Sequence, residues 1–369
     1  MPFDRRSPWW AIVGEPEPAA RRGFSIHAAR LRREQDMIGR LRALQSPLAL
    51  ARPSHEQIVL LITIALLIAF GLMLNGFATL NNLLDLMRSI SILGILGIGM
   101  GLVVIGRGID LSEVAIMAAS WSIALIEMQR GMPAGWACSI ALALALTTGV
   151  VNGIIVACAD VPALFVTLAT GFSVYGLTLG FAPAYVVYAP KDLPTLLFLG
   201  AGRVAGVPMP IFVFAGCAIV MHLFLSRTSI GRFIYAQGDN PEATRLSGIA
   251  IRSLIVIEHM LVGLLAWIAG LVWIGTTGSM QMVITQGTLI VDVVLVVVIG
   301  GISLVGGRGG MFSVVVGCVL IGTLLNAFTI MDINNEVQNI IKGIVLLVAI
   351  VLDNWLHPRD EETARQGDL

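Results

Sequence analysis

Ten runs of apolar residues, each about as long as a membrane-crossing helix, occupy most of the chain between residues 57 and 355. A hydrocarbon core of about 30 Å is spanned by about 20 residues of helix. The runs are continuous rather than alternating, which argues against transmembrane β-strands. We therefore predict an all-α, polytopic membrane protein with about ten transmembrane helices, at 57–77, 84–106, 112–129, 134–158, 161–181, 208–226, 253–274, 288–304, 311–330 and 336–355.

The composition agrees with this class. Charged residues make up 12% of the chain, against about 25% in soluble domains. The five histidines have no metal-ligand spacing, and the four cysteines are far apart in or beside apolar runs, where we interpret them as packing residues. We predict no metal site, no catalytic residue and no nucleic-acid-binding patch.

Basic residues predict the orientation. Placing the N-terminus in the cytoplasm puts 18 of the 23 Lys and Arg residues there, as the positive-inside rule requires. An even number of spans then leaves both termini cytoplasmic. Residues 1–55 hold ten Arg and form a leader, for which a disordered tail and a basic amphipathic helix on the membrane surface both remain open. We place the permeation domain at 56–356 and a second cytoplasmic tail at 357–369.

A polar segment, Gly231–Ile249, interrupts the apolar pattern inside the predicted cytoplasmic loop 227–252. Asn240 suits the N-cap of a helix, and Pro241 suits its first position. Glu242 and Arg245 complement the helix dipole, and Gly248 favours a stop. We predict a short, capped helix that presents Arg245 and Leu246 to the cytoplasm, as either an ordinary loop helix or a docking element.

Two glycine-rich stretches predict interruptions in the membrane helices. The first is Val103–Ser112, where the glycines permit close helix contact or a break and where Asp110 and Ser112 are expected to cap the next helix. The second is Val296–Gly310, preceded by Asp292. It lacks the Gly-Lys-Ser/Thr end of a phosphate-binding loop, so we predict that the chain carries no ATPase site of its own. A tight turn for the first stretch, and a helix-end position for Asp292, remain open.

Other polar residues lie within the predicted spans, where they are costly unless they face protein or water. Most are expected to form interhelical hydrogen bonds, and some to contact a substrate. The residues are Asn152, Thr167, Glu258, His259, Asn326 and Gln338. The predicted external connection at 182–207 is either a simple connector or a surface for an external partner.

Taken in order, several motifs resemble the permease of bacterial monosaccharide ABC importers of the ribose, xylose, arabinose and galactose type. They are G-I-D-L-S at 108–112, N-G-I-I-V at 152–156, V-P-A-L-F-V-T-L at 161–168, the whole 231–249 segment, D-x-x-x-x-V-V-I-G-G-x-S-L-x-G-G-R-G from 292, and Q-x-x-I-K-G at 338–343. The resemblance covers about 80–355.

The resemblance implies an inner-membrane permease in a homodimer or heterodimer, lying in the lipid bilayer. A periplasmic sugar-binding protein would deliver the sugar, and a separate ATPase subunit would use the ATP, so the chain itself would hold no cofactor. The implied ATPase-coupling residues are Gly231, Gly238, Asn240, Pro241, Glu242, Arg245, Leu246 and Gly248. The implied translocation-pathway residues are Gly108, Asp110, Ser112, Asn152, Phe165, Thr167, Asp292, Gly300, Gly301 and Asn326.

The chain departs from the usual family pattern at two positions. Arg107 replaces a glycine, and Glu113 stands where a small or apolar residue is usual. The alternatives are a permease for another small polar solute, such as a branched-chain amino acid or a signalling furanosyl compound, and an ion-coupled secondary transporter. The polar segment and the scarcity of intramembrane carboxylates argue against the secondary transporter.

Overall fold

The computed structural model describes residues 55–159, 161–181, 186–190 and 194–356, which form helices joined by short loops and two small two-stranded sheets. The leader and the C-terminal tail predicted at 1–55 and 357–369 lie almost wholly outside the described residues. The helices are α1 His55–Met73, α2 Leu80–Ile105, α3 Glu113–Gln129, α4 Ala134–Ala159, α5 Ala163–Phe181, α6 Pro194–Ala201, α7 Met209–Arg227, α8 Ser229–Asp239, α9 Pro241–Leu246, α10 Ile251–Thr277, α11 Leu289–Gly300, α12 Met311–Ile330 and α13 Asn335–Leu356.

Each predicted span coincides with one helix, so the all-α prediction is confirmed. Seven of the described helices are both long and apolar enough to cross a membrane: α1, α2, α4, α5, α7, α10 and α12. The count of ten crossings stays a prediction. The predicted span 288–304 is too long, because α11 ends at Gly300 and Gly301 follows at φ 101°, a left-handed conformation that stops a helix.

Helix α2 lies at the centre of the bundle, and every residue from Ile90 to Ile105 is buried. Its glycines do not break the helix. They let neighbours approach closely: a Cβ at Gly101 would lie 2.9 Å from the Ile302 side chain, and one at Gly94 would overlap the Phe214 ring. The break comes only after Ile105, where seven residues separate α2 from α3.

The loops fall into two groups at opposite ends of the bundle. At one end, the loop after α2, helix α8 and the loop 301–310 are in mutual contact, and α9 follows α8 directly. At the other, β1 (Val186–Tyr188) pairs antiparallel with β4 (Ser279–Gln281), and Gln129 Nε2 donates to Tyr188 O at 2.8 Å. The segments in each group are those predicted to share one side of the membrane.

The predicted external connection has structure of its own in the part that is described. Helix α6 and a hairpin of β2 (Arg203–Val204) and β3 (Val207–Pro208) lie within it. Gly200 packs directly on the α10 backbone at Gly275 and Thr276, where an added Cβ would lie 2.3 Å from a carbonyl carbon. This segment is therefore anchored to the bundle, which a simple connector would not require.

Arg107 shows why glycine is usual at its position in the resembling family. Its φ of 75° is in the left-handed region, which is unfavourable for a residue with a Cβ by roughly 1–2 kcal/mol. The Arg107 side chain is exposed at the bundle end. The unfavourable backbone conformation therefore places a cation at the helix break.

Candidate functional site

The polar segment Gly231–Ile249 forms two helices rather than one. Thr228 caps α8, with its hydroxyl accepting from Gly231 N–H at 3.0 Å. Asn240 caps α9 through its side-chain oxygen, which accepts from Ala243 N–H at 2.9 Å, and Pro241 occupies the first position. Together with the remainder of loop 227–252, α8 and α9 form what we call the coupling segment. The predicted short helix with an Asn240 cap is confirmed.

The end of α9 is also specified. Gly248 takes φ 83°, and its N–H donates to Arg245 O at 3.0 Å, while Ile249 N–H donates to Thr244 O at 3.4 Å. These two bonds form a Schellman motif, which satisfies the last carbonyls of a helix. A helix of six residues is marginal alone, so its two caps are what make it a defined surface feature.

Most side chains of helix α9 are exposed. Thr244 is buried against the bundle, whereas Glu242, Arg245 and Leu246 are exposed. Leu246 is 80% exposed, an unusual position for a leucine, next to Arg245 on a polar segment. The predicted exposure of Arg245 and Leu246 is confirmed, and the cytoplasmic side on which they lie stays a prediction.

Helix α8, in contrast, is held to the bundle by its backbone. A Cβ at Gly238 would lie 1.9 Å from Ile105 O and 2.4 Å from Gly307 N, and one at Gly231 would lie 2.4 Å from Leu225 O. Both glycines are buried. The resemblance implies that both are coupling residues, which stays a prediction, and in the structure both allow close packing of α8.

The same contact joins the end of α2 to the loop 301–310 that follows α11. Gly307 N–H donates to Ile105 O at 2.9 Å, and Tyr235 Oη donates to Gly309 O at 2.8 Å. Burial and the nearby Glu56 carboxylate raise the pKa of Tyr235, so its hydroxyl stays protonated and able to donate. Both glycine-rich interruptions therefore end against α8.

Gln237 adds a side-chain link that sequence reasoning missed. Its Nε2 donates to Gly106 O at 3.0 Å and to Glu258 Oε1 on α10 at 3.2 Å. Gln237 is 3% exposed and Glu258 is 1% exposed. A glutamine within an amphipathic helix of a polar segment carries no signal of burial, which is why only Glu258, inside an apolar run, was singled out.

Four of the predicted pathway residues meet at the break between α2 and α3. Asp110 Oδ1 accepts from the N–H and the hydroxyl of Ser112, and Asn152 Nδ2 donates to Ser112 Oγ at 2.8 Å. Thr167 Oγ1 accepts from Leu111 N–H at 3.0 Å. The network ties the break to α4 and α5, and Asp110, Ser112, Asn152 and Thr167 are all buried, without any measurable exposure.

The expected cap of α3 is formed differently from the prediction. Ser112 occupies the N-cap position, but its hydroxyl oxygen accepts no N–H from the first turn of α3. The oxygen accepts from Asn152 Nδ2 instead, while the hydroxyl proton is donated to Asp110. Glu113 is 1% exposed, and a Cβ at Gly99 would lie 3.2 Å from its Oε2. Asp110 Oδ2, Glu113 Oε1 and Asn152 Oδ1 have no hydrogen-bond partner within the described ranges.

Asp292 is placed elsewhere, in a buried ion pair. Lys342 Nζ lies 2.8 Å from Asp292 Oδ1 and donates to Oδ2 at 3.0 Å and to Thr288 Oγ1 at 3.2 Å. The side chains of Asp292 and Lys342 are 12% and 10% exposed. Two motifs that are separate in sequence thus meet, joining α11 to α13. The sequence signal for this pair was an acidic residue in one apolar run and a basic residue in another, and it could have been used to predict their contact.

The other predicted pathway residues do not join the Asp110 network. Asn326 makes a reciprocal amide pair with Asn82, at 2.9 and 3.1 Å, which links α12 to α2. A Cβ at Gly300 would lie 2.3 Å from Ser313 O, so Gly300 serves helix packing. Phe165 is 61% exposed on α5. A Cβ at Gly108 would lie 2.7 Å from the Val103 side chain, at the break itself.

Comparison with known proteins decides the family. Residues 82–350 match the family described as branched-chain amino acid transport system / permease component. The chain belongs to this family of ABC importer permeases. It is 33% identical to the ribose import permease protein RbsC of Escherichia coli (strain K12) over 302 residues, which cover 81% of this chain and 94% of that protein.

Other relatives are also named as permeases for sugars. The chain is 29% identical to the fructose import permease protein FrcC of Rhizobium meliloti, over 82% of this chain and 86% of that protein. It is 30% identical to the L-arabinose transport system permease protein AraH of Escherichia coli (strain K12), over 80% and 90%. No solved structure matches the chain. As a family member, the chain is a multi-pass transport subunit of the bacterial inner membrane.

The close backbone contact at Gly238 predicts a large effect from one methyl group. Gly238→Ala should lower the free energy of unfolding by about 1–3 kcal/mol, because the Cβ overlaps backbone atoms that must shift. The measurement is the thermal unfolding midpoint of the detergent-solubilised permease. Gly216→Ala in α7 is the matched control, since an added Cβ there meets nothing within 4 Å. Equal midpoints for the two variants would contradict the contact.

The Asp292–Lys342 pair gives a second prediction. Lys342→Met should lower the free energy of unfolding by about 3–5 kcal/mol, because it leaves a buried carboxylate without its cation. Adding Asp292→Leu should recover most of this loss, since an apolar pair replaces both charges. Thermal unfolding of the single and double variants measures both effects. A double variant as unstable as Lys342→Met would argue against the pair.

Proposed function

We propose that this chain is the membrane-spanning subunit of an ATP-driven importer that moves a monosaccharide across the inner membrane. A periplasmic binding protein delivers the sugar, and a separate ATPase subunit supplies the energy. The proposal rests on family membership and on three relatives whose names are ribose, fructose and arabinose import permeases. The family description names branched-chain amino acids, but these named relatives favour a sugar.

The observation that carries the coupling role is the exposed helix α9. It is capped at both ends, it stands on a segment packed against both glycine-rich interruptions, and it presents a leucine that is 80% exposed. An exposed apolar side chain next to an exposed arginine suits a protein contact. We assign α9 as the element that enters the ATPase subunit, which binds ATP, while this chain holds no cofactor.

The proposed orientation places the coupling segment and both termini in the cytoplasm. Two independent arguments support it: the charge distribution along the sequence, and the gathering of the three basic loops at one end of the bundle. At the opposite end, the β1–β4 pair and α6 offer a structured surface for the binding protein. A second permease copy completes the proposed complex.

The Asp110 network receives a positioning role in this proposal. Its four side chains are buried, so they fix the shape of the break that begins α3 rather than line an open channel. Broken helices inside a bundle commonly border the substrate path of transporters. In this scheme the break is the part of the path that moves when the coupling segment moves.

Replacing Arg245 with Glu and Leu246 with Asp should abolish binding of the ATPase subunit while the permease still inserts and folds. The physical reason is that both side chains are exposed, so their replacement removes docking chemistry without disturbing the core. Co-purification of the ATPase with affinity-tagged permease measures docking, and ATP-driven uptake of ribose, fructose and arabinose into proteoliposomes measures transport.

The control is Val204→Asp, which changes an exposed apolar residue (44% exposed) at the opposite end of the bundle. This variant should retain the ATPase. Normal ATPase recovery with the Arg245 and Leu246 double variant would contradict the docking role of α9. ATP-independent uptake by the permease alone would contradict the importer class.

A further inference from the structure

Gln237 occupies a position that no packing requirement explains. It lies at the C-terminal end of α8, four residues before α9 begins at Pro241. Both of its hydrogen bonds leave α8: one goes to the end of α2 and one to α10. A single buried side chain thus links three elements, α8, α2 and α10, that are distant in sequence.

The two oxygen atoms that accept from Gln237, one on Gly106 and one on Glu258, both require a hydrogen-bond donor. Gly106 is the C-cap of α2, and the carbonyl groups at the end of a helix lack intrahelical donors. Glu258 is a buried carboxyl group, and a buried carboxyl oxygen left without a hydrogen-bond donor costs free energy. Gln237 Oε1 finds no partner among the described residues, so the amide acts here through its donor side alone.

Two kinds of contact at this place resist movement of α8 in different directions. The backbone of Gly238 lies in close contact with Ile105 and Gly307, and this contact transmits movement of α8 only towards the bundle. The Gln237 hydrogen bonds also resist movement away from it. Gly106 begins the break that the Asp110 network holds four residues later. Movement of α8 in either direction is therefore passed to the break.

We propose that Gln237 is the positioning residue that links the coupling segment to the break after α2, with Glu258 as its fixed anchor on α10. This inference rests on the proposed function, since it deepens the route by which ATPase movement reaches the translocation path. ATPase docking itself belongs to α9, and Gln237 acts after docking.

The test uses the full complex of permease, ATPase and binding protein in proteoliposomes, with ribose, fructose and arabinose as probe sugars. Gln237→Met keeps the side-chain length and removes both hydrogen bonds. We expect this variant to bind the ATPase and to keep its basal ATP hydrolysis. Sugar taken up per ATP hydrolysed should fall about tenfold, within the usual range of coupling between two sites.

Two further variants sharpen the result. Gln129→Met removes another glutamine-to-carbonyl hydrogen bond, the one to Tyr188 at the opposite end of the bundle, and should leave uptake per ATP unchanged. Glu258→Gln keeps an oxygen that accepts from Gln237, so it should retain most of the coupling. A merely structural role for Gln237 would instead lower ATPase binding, hydrolysis and uptake in proportion.

The proposal is overturned if Gln237→Met transports as much sugar per ATP as the parent chain, or if its hydrolysis and uptake fall together with ATPase binding. It is also overturned if Glu258→Gln uncouples as strongly as Gln237→Met, since the charge rather than the hydrogen bond would then matter. A parent chain that shows no ATP-driven uptake would be a failure of the proposed function, which these outcomes keep distinct.

Discussion

The contact between Gly238 and the backbone at Ile105 and Gly307 is the constraint on which the rest of this structure depends. Neither side can accommodate even a methyl group, because a Cβ at Gly238 would lie 1.9 Å from a carbonyl oxygen. The same place holds the hydrogen bond from Gly307 to Ile105. As a result, the end of α2 and the loop 301–310 that follows α11 both pack against the end of α8.

Polar interactions inside the bundle divide between its two ends. The Asp110 network, Gln237 and Glu258 gather near α8, whereas the Asp292–Lys342 and Asn82–Asn326 pairs join α11 to α13 and α2 to α12. Buried polar groups in a membrane are tolerated when they are paired, so each pair fixes one helix against another. The pairs far from α8 provide fixed points, against which the break after α2 is able to move.

Much of this was predictable from sequence, since apolar runs, N-caps and positive charges act locally. The helix positions, the Asn240–Pro241 start of α9 and the Gly248 stop followed from such signals. Contacts between distant segments did not. The Lys342 partner of Asp292, the burial of Gly231 and Gly238, and the role of Gln237 depend on tertiary packing. Ser112 was expected to cap α3, but its hydroxyl oxygen accepts from the Asn152 amide on α4 instead. The early end of α11 at Gly300 depends on which of several glycines takes a left-handed conformation.

The central claim is that the coupling segment faces the cytoplasm, where an ATPase subunit can reach it. Membrane-impermeant maleimide labelling of single cysteines tests this most directly, in a chain whose four native cysteines are replaced by serine. Leu246→Cys should be labelled in inverted membrane vesicles and not in right-side-out vesicles, and Tyr188→Cys, 67% exposed at the other end, should show the reverse. Labelling of Leu246→Cys from the outer side would contradict the account.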